Sequence, residues 1–246
     1  DHRDLHSFPT RRSSDLLQKV WEAQPDLALP TLLGILGNRG IGWGSTDEDL
    51  VEALNTMYTE NPGEIRGGSR LADPQREVPG RFLVETESPA YRITVDPFRV
   101  SVRRIAKGPH RPLQPGVWEF QEIRRCRSGE PLLITDVEGI DHRLGVVVRI
   151  TLLNDSPAPK TKSLDKVRRR EVGDKVFYLH FESGDTALLN HGLEIYQASR
   201  RTLEQHSVKW DQLITATPGQ LLKLKETGSG KILELGVLEK IIPLEG

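Results

Sequence analysis

The spacing of apolar residues changes period once along this chain, near residue 80, and that change constrains the fold more than any other feature. Before it, Leu50, Val51, Leu54, Met57 and Tyr58 recur at i, i+1, i+4, i+7 and i+8, one stripe of an amphipathic helix. After it, Tyr91, Ile93 and Val95, then Phe98, Val100 and Val102, alternate with other residues at the period of a half-buried strand. Two periods kept in separate blocks predict an α+β chain: a small N-terminal helical region followed by two tandem small β units, barrel- or roll-like.

The helical block, residues 17–60, is acidic. Lys19 and Arg39 stand against Glu22, Asp26, Asp47, Glu48, Asp49, Glu52 and Glu60, a net charge of −5. Pro30 suits a first helical turn, where its missing N–H is no loss. Leu32, Leu33 and Leu36 then supply an apolar face, and Gly37 or Gly40 ends the helix in the left-handed conformation. Thr46 is a natural N-cap for the next helix, with Asp47, Glu48 and Asp49 where the helix dipole favours negative charge. "GNRGIGWGST" (Gly37–Thr46) lacks the Lys and the preceding strand of a phosphate-binding loop. It therefore reads as a helix–loop–helix connection, with Trp43 packing back over the helices.

Residues 61–80 hold four Gly and three Pro, the composition of a linker that is mobile or loosely packed. The first β unit is expected over 81–155, with a turn at Asp96-Pro97. A basic connection is expected over 156–175, and a second β unit over 176–246, with a hairpin turn at Ser183-Gly184-Asp185.

The two β blocks resemble each other. Trp118 matches Trp210, Gly129 matches Gly219, Leu132 matches Leu222, Gly145 matches Gly236 and Ile150 matches Ile241, at offsets of 90 to 92 residues. Such a period predicts two copies of one unit, with the Gly129 or Gly219 step as a turn and the Trp as a core anchor.

Asp1–Leu16 follows neither period. It is similar, in all sixteen residues, to one reading frame of a widely used short-read sequencing adapter. That resemblance implies a non-native tail outside the fold, burying almost nothing. The stretch lacks the apolar core of a secretory signal.

The whole chain carries a formal net charge of −1, so nothing global drives it onto nucleic acid or acidic membranes. No apolar run approaches the ~20 residues that span a bilayer. A single Cys126 excludes an internal disulfide and fits a cytoplasmic protein. Cys126, Asp141 and His142 include the residue types of a nucleophile, an acid and a base, but no local signature joins them, and Cys126 reads as a small buried residue. His180, His191 and His206 lack metal-ligand spacing. No catalytic residue, metal or cofactor is therefore assigned.

The basic residues from Arg99 to Arg127 stand out. Arg99, Arg103, Arg104, Lys107, Arg111, Arg124, Arg125 and Arg127 face only Glu119 and Glu122 in this stretch. Strand alternation puts Arg99 and Arg103 on one exposed face, where they would track phosphates, or dock on the acidic helix around Asp47, Glu48 and Asp49. Arg99, Arg103, Arg104, Arg124, Arg125 and Arg127 are the candidate nucleic-acid contacts.

The leading expectation is a non-enzymatic binding or scaffold protein with another protein as its partner. The alternatives are a nucleic-acid-binding protein using residues 99–127, with the basic run Lys160–Arg170 beside it, and a hydrolase-like enzyme with dispersed site residues.

Overall fold

Three helices open the computed structural model, which describes residues 9–66, 78, 80–97, 99–105, 113–154, 161–198 and 203–245. They are α1 (Pro9–Glu22), α2 (Leu29–Asn38) and α3 (Asp47–Glu60). The chain divides into two compact units, Asp1–Val100 with Trp118–Asp155 and Ser101–Val117 with Ser156–Gly246.

In the first unit, α3 begins at the expected cap. The Asp49 N–H donates to Thr46 Oγ1 at 3.2 Å, and the Thr46 N–H donates to Asp49 Oδ2 at 2.8 Å. The Thr46 N–H bond, and after it the Thr46 hydroxyl, which donates to Asp49 Oδ2 at 2.9 Å, hold the Asp49 carboxyl below its ordinary pKa. α2 ends at Gly40 (φ +90°), where the Ile41 N–H reaches the Leu36 carbonyl and the Gly40 N–H reaches that of Gly37, both at 3.0 Å. Val20, Leu32, Leu36, Leu54 and Met57 form the helical core.

Three expectations for this region are corrected. Leu33 is 52% exposed, because it lies a third of a turn from the Leu32–Leu36 line that faces the core. Trp43 stands fully exposed in its loop instead of packing back, since the turn closed by Ser45 bonds to Gly40 and Gly42 leaves it no neighbour. The tail is not wholly outside the fold: α1 starts at Pro9, Ser13 is buried, and Leu16 packs on the helical core. Ser13, Leu16, Leu17 and Val20 make a helical stripe whose first member is small and polar, which a search for large apolar residues passes over. Residues 1–8 lie outside the described residues.

β1 (Arg81–Glu87), β2 (Tyr91–Val95), β3 (Arg99–Arg104), β4 (Gly116–Arg125), β5 (Pro131–Asp136) and β6 (Asp141–Asn154) follow one another around a closed barrel, which β1 completes by pairing with β6. The remaining strands are β7 (Val176–Phe181), β8 (Thr186–Leu189), β9 (Leu193–Ala198), β10 (Leu203–Val208), β11 (Trp210–Thr215), β12 (Leu221–Glu226) and β13 (Ile232–Glu245). They form a curled half-barrel in the order β10-β9-β8-β7-β13-β12-β11. β10 and β11 are its two edges, yet only Lys209 separates them in the chain.

The two sheets use the same registers. In β4–β5 the pairs are Phe120↔Asp136, Ile123↔Ile134 and Arg125↔Leu133; in β11–β12 they are Trp210↔Glu226, Leu213↔Leu224 and Thr215↔Lys223, with bulges at the same places. Val84↔Ile150 of β1–β6 corresponds to Leu179↔Ile241 of β7–β13. The turns agree as well. The Gly129 N–H donates to the Val147 carbonyl at 2.8 Å, and the Gly219 N–H to that of Leu238 at 2.7 Å, with φ near +80° at both glycines. At the β2–β3 turn the Arg99 N–H donates to Asp96 Oδ1, and at the β8–β9 turn the Gly192 N–H donates to Asn190 Oδ1.

These registers shift one expected match. Trp210 occupies the place of Phe120, and both are almost fully buried. Trp118 lies two residues earlier, at the place of Val208. The indoles are not equivalent, because the sequence match tolerated a gap that the strand pairing does not.

Parts of the linker and of the basic connection contribute buried residues. Of the linker, Ile65 is buried, its N–H bonded to the Cys126 carbonyl at 2.9 Å, and Glu64 bridges Arg127. Residues 67–77 and 79 lie outside the described residues. Of the basic connection, Leu164 and Val172 join the second core, and the Leu164 N–H reaches the Ala216 carbonyl at 2.9 Å. Ile65 and Leu164 thus cap matching places on β units whose own strands leave them open. Each is a single buried apolar residue, too short a signal for periodicity to detect.

Candidate functional site

The second unit holds a cavity of about 460 Å³ at one end of the half-barrel. Phe181, Ile195, Val208 and Leu235 give it apolar walls; Ser183, Asp185, Gln197, His206 and Glu234 bring polar groups to it. Each wall residue is set by strand alternation. Phe181 ends β7, Ile195 lies in β9, Val208 ends β10 and Leu235 lies in β13. Gly236 completes the lining, and a Cβ there would meet Phe181 Cδ1 at 3.1 Å. Ser183 Oγ donates to Asp185 Oδ2 at 2.9 Å, and Glu234 accepts from Lys223 Nζ at 2.6 Å. An apolar chamber of this size with a few polar groups at its rim has the ordinary make-up of a ligand site.

The first unit has different contents at the matching places. Trp118 takes the position of Val208 and lies against the His142 ring, centroids 4.8 Å apart. Its indole nitrogen is buried with no hydrogen-bond partner among the described residues. His142 Nε2 sits 2.8 Å from Asp136 Oδ2, and this bond is the main cause holding the Asp136 carboxyl below its ordinary pKa. In the second unit Leu233 pairs with Leu224 where His142 pairs with Ile134.

The candidate phosphate-tracking arginines are mostly engaged with carboxylates. Arg99 Nε donates to Asp96 at 2.8 Å. Arg103, half-buried in the second unit, pairs with Glu245. Arg124 donates to Asp141 at 3.0 Å, while Arg125 and Arg127 lie 3.5 and 3.7 Å from Glu130. Arg104 is exposed; Lys107 and Arg111 lie outside the described residues. Arg99 and Arg103 therefore do not share an open face, and Ser101 between them is only 3% exposed. The strand alternation holds, but the second face of β3 is itself covered. Among the described residues none of these arginines pairs with the acidic helix: α3 caps itself with Asp49, and the helices meet the barrel through other residues. Asn61 Nδ2 donates to the Ile150 carbonyl at 3.1 Å, Ser128 Oγ to that of Ala23 at 2.7 Å, and Arg149 to Asp26 at 2.5 Å.

The remaining candidates stay apart. The Cys126 thiol is buried, which pushes its pKa up to about 12, far from a nucleophile's range. Asp141 accepts from Thr135 and Arg124, not from His142. His180 stands edge-on to Tyr178, His191 is exposed in a turn, and His206 lies on the cavity rim. Among the described residues no group of three His, Cys, Asp or Glu is placed to hold a metal, and no helix is long and apolar enough to cross a membrane.

Sequence reasoning missed the cavity, because its lining comes from four strands and a turn with no local signature. One signal was present: a gap-free match of the two units sets Val208 against Trp118. Compared with protein-family models, curated proteins and solved structures, the chain matches none.

Proposed function

We propose that this chain is a non-enzymatic binding protein made of two copies of one β unit, the first filled by its own side chains and the second open to a ligand. The matching registers, turns and capping residues Ile65 and Leu164 support the duplication. The observation that carries the functional part is the exchange at one register place, Trp118 in the first unit and Val208 beside the cavity in the second. A ligand with an apolar body and a polar end suits the chamber, and the apolar side chain of a partner protein fits that description. The two alternatives have less behind them. The arginines of 99–127 are mostly paired with carboxylates, and Cys126, Asp141 and His142 share no hydrogen bond among the described residues.

Fluorescence titration with the apolar dye 8-anilinonaphthalene-1-sulfonate tests this reading. Wild-type protein should bind one dye saturably. Val208→Trp, which copies the first unit, should abolish binding without loss of fold by circular dichroism. Trp118→Val should add a second site. Wild-type protein that binds no dye, or Val208→Trp that binds it unchanged, would overturn the assignment.

A further inference from the structure

The basic segment Lys162–Lys175 of the second unit differs from the Arg99–Arg127 cluster in being both fixed and unpaired. Its backbone is clamped at several points. Leu164 and Val172 are buried, the Leu213 N–H donates to the Val167 carbonyl at 2.9 Å, Gln212 Nε2 donates to that of Lys166 at 3.1 Å, and Arg168 bridges Gln212. Arg169–Glu171 form a 3₁₀ turn. Two of the segment's three acids are engaged by backbone N–H groups: Asp165 accepts from the Ala216 N–H at 2.5 Å and Glu171 from the Arg168 N–H at 2.8 Å, while Asp174 is exposed. Lys162, Lys166, Arg168, Arg170 and Lys175 are exposed, and none makes an ion pair among the described residues; Lys166 lies in the field of Asp165 without pairing. In the corresponding stretch of the first unit, Arg66 among the described residues is bonded to Glu64 at 2.7 Å.

We infer that this segment is a docking surface for the phosphate backbone of duplex nucleic acid, read without regard to base sequence. Held cations with no carboxylate partner are what phosphates displace counterions from. A duplex is favoured over a single strand because the second unit offers no stacking platform: Phe177, Tyr178, Phe181, Tyr196 and Trp210 are all buried. None of the segment's basic residues lines the cavity, so this inference stands apart from the ligand reading.

Fluorescence anisotropy of the full chain with a labelled 16-base-pair DNA duplex of arbitrary sequence tests it. If four phosphates are neutralised, affinity should fall ~150-fold between 50 and 200 mM salt. Replacing Lys162, Arg168, Arg170 and Lys175 with Ala should remove most of that dependence, while Arg168→Lys with Arg170→Lys should keep it. Ala at Arg124, Arg125 and Arg127 should leave it unchanged. No duplex binding at 50 mM salt would overturn the inference. So would a quadruple variant that binds like wild type, or tighter binding to oligo-dT or to polyglutamate than to the duplex.

Discussion

The two β units share strand order and register but treat one end of the barrel in opposite ways. In the first, β4 runs unbroken from Gly116 to Arg125, and Trp118 lies against His142. In the second, the same run is cut at Lys209 into β10 and β11, and Val208 borders a cavity. A tryptophan does stand two residues further on in the second sheet, at the register place of Phe120. Trp210 is fully buried in the second core, and its indole N–H donates to the Asn190 carbonyl at 3.2 Å. The difference teaches that one register place can hold a tryptophan against a histidine in one sheet and a valine beside a cavity in the other while the strand registers agree.

The largest expected effect separates the two tryptophans. Trp210→Ala should cost about 3–5 kcal/mol in denaturant unfolding followed by circular dichroism, because it empties a closed core and strands a carbonyl. Trp118→Ala should cost roughly 1–2 kcal/mol, since its indole is half-buried and its N–H already lacks a partner. Equal losses would break the comparison.

The paired glycines come next. A Cβ on Gly145, at φ +83°, would lie 2.6 Å from the carbonyl oxygens of Glu87 and Pro89. Gly145→Ala should therefore cost about 2–4 kcal/mol, from the left-handed backbone and the close approach together. At Gly236 the nearest atom belongs to a side chain, Phe181. Gly236→Ala should cost about 1 kcal/mol and narrow the cavity, which the dye titration would register as weaker binding.

The smallest effect is confined to the second unit. The Ala216 N–H, and less strongly Ser163 and Thr217, hold the Asp165 carboxyl below its ordinary value of 3.8. The ionised form therefore stabilises the fold above that value, and the contribution is lost as pH falls through the lower folded-state value. Asp165→Asn should lower Tm by a few degrees at most at neutral pH. The gap to wild type should close in the acid range below pH 4. A gap independent of pH would show that the carboxylate charge is not what matters.

Much of this architecture was legible in order along the chain. The Thr46 cap, the Gly40 stop and the Leu54–Met57 stripe each depend on residues within one or two helical turns. The Asp96 and Ser183–Asp185 turns are similarly local. The candidate site was not legible. Its walls come from β7, β9, β10 and β13, and no spacing within one strand announces them. The pairing of Arg103 with Glu245 and of Arg124 with Asp141 was hidden for the same reason, since those acids come from other strands, whereas Arg99 with Asp96 and Arg127 with Glu130 are i,i+3 pairs within one turn.

By itself, then, the amino-acid order determined where the chain changes from helix to strand and where its local caps and turns fall. Backbone propensity, capping and hydrophobic period act over a few residues and need no distant partner. Tertiary structure alone decided that Phe120, not Trp118, is the counterpart of Trp210, that the linker and the basic connection contribute buried residues, and that one barrel is closed while the other keeps a chamber. Those outcomes depend on strand register and on which side chain meets which across the core. Register is settled by packing between segments far apart in the chain, where one inward position filled by Trp or Val changes what space remains.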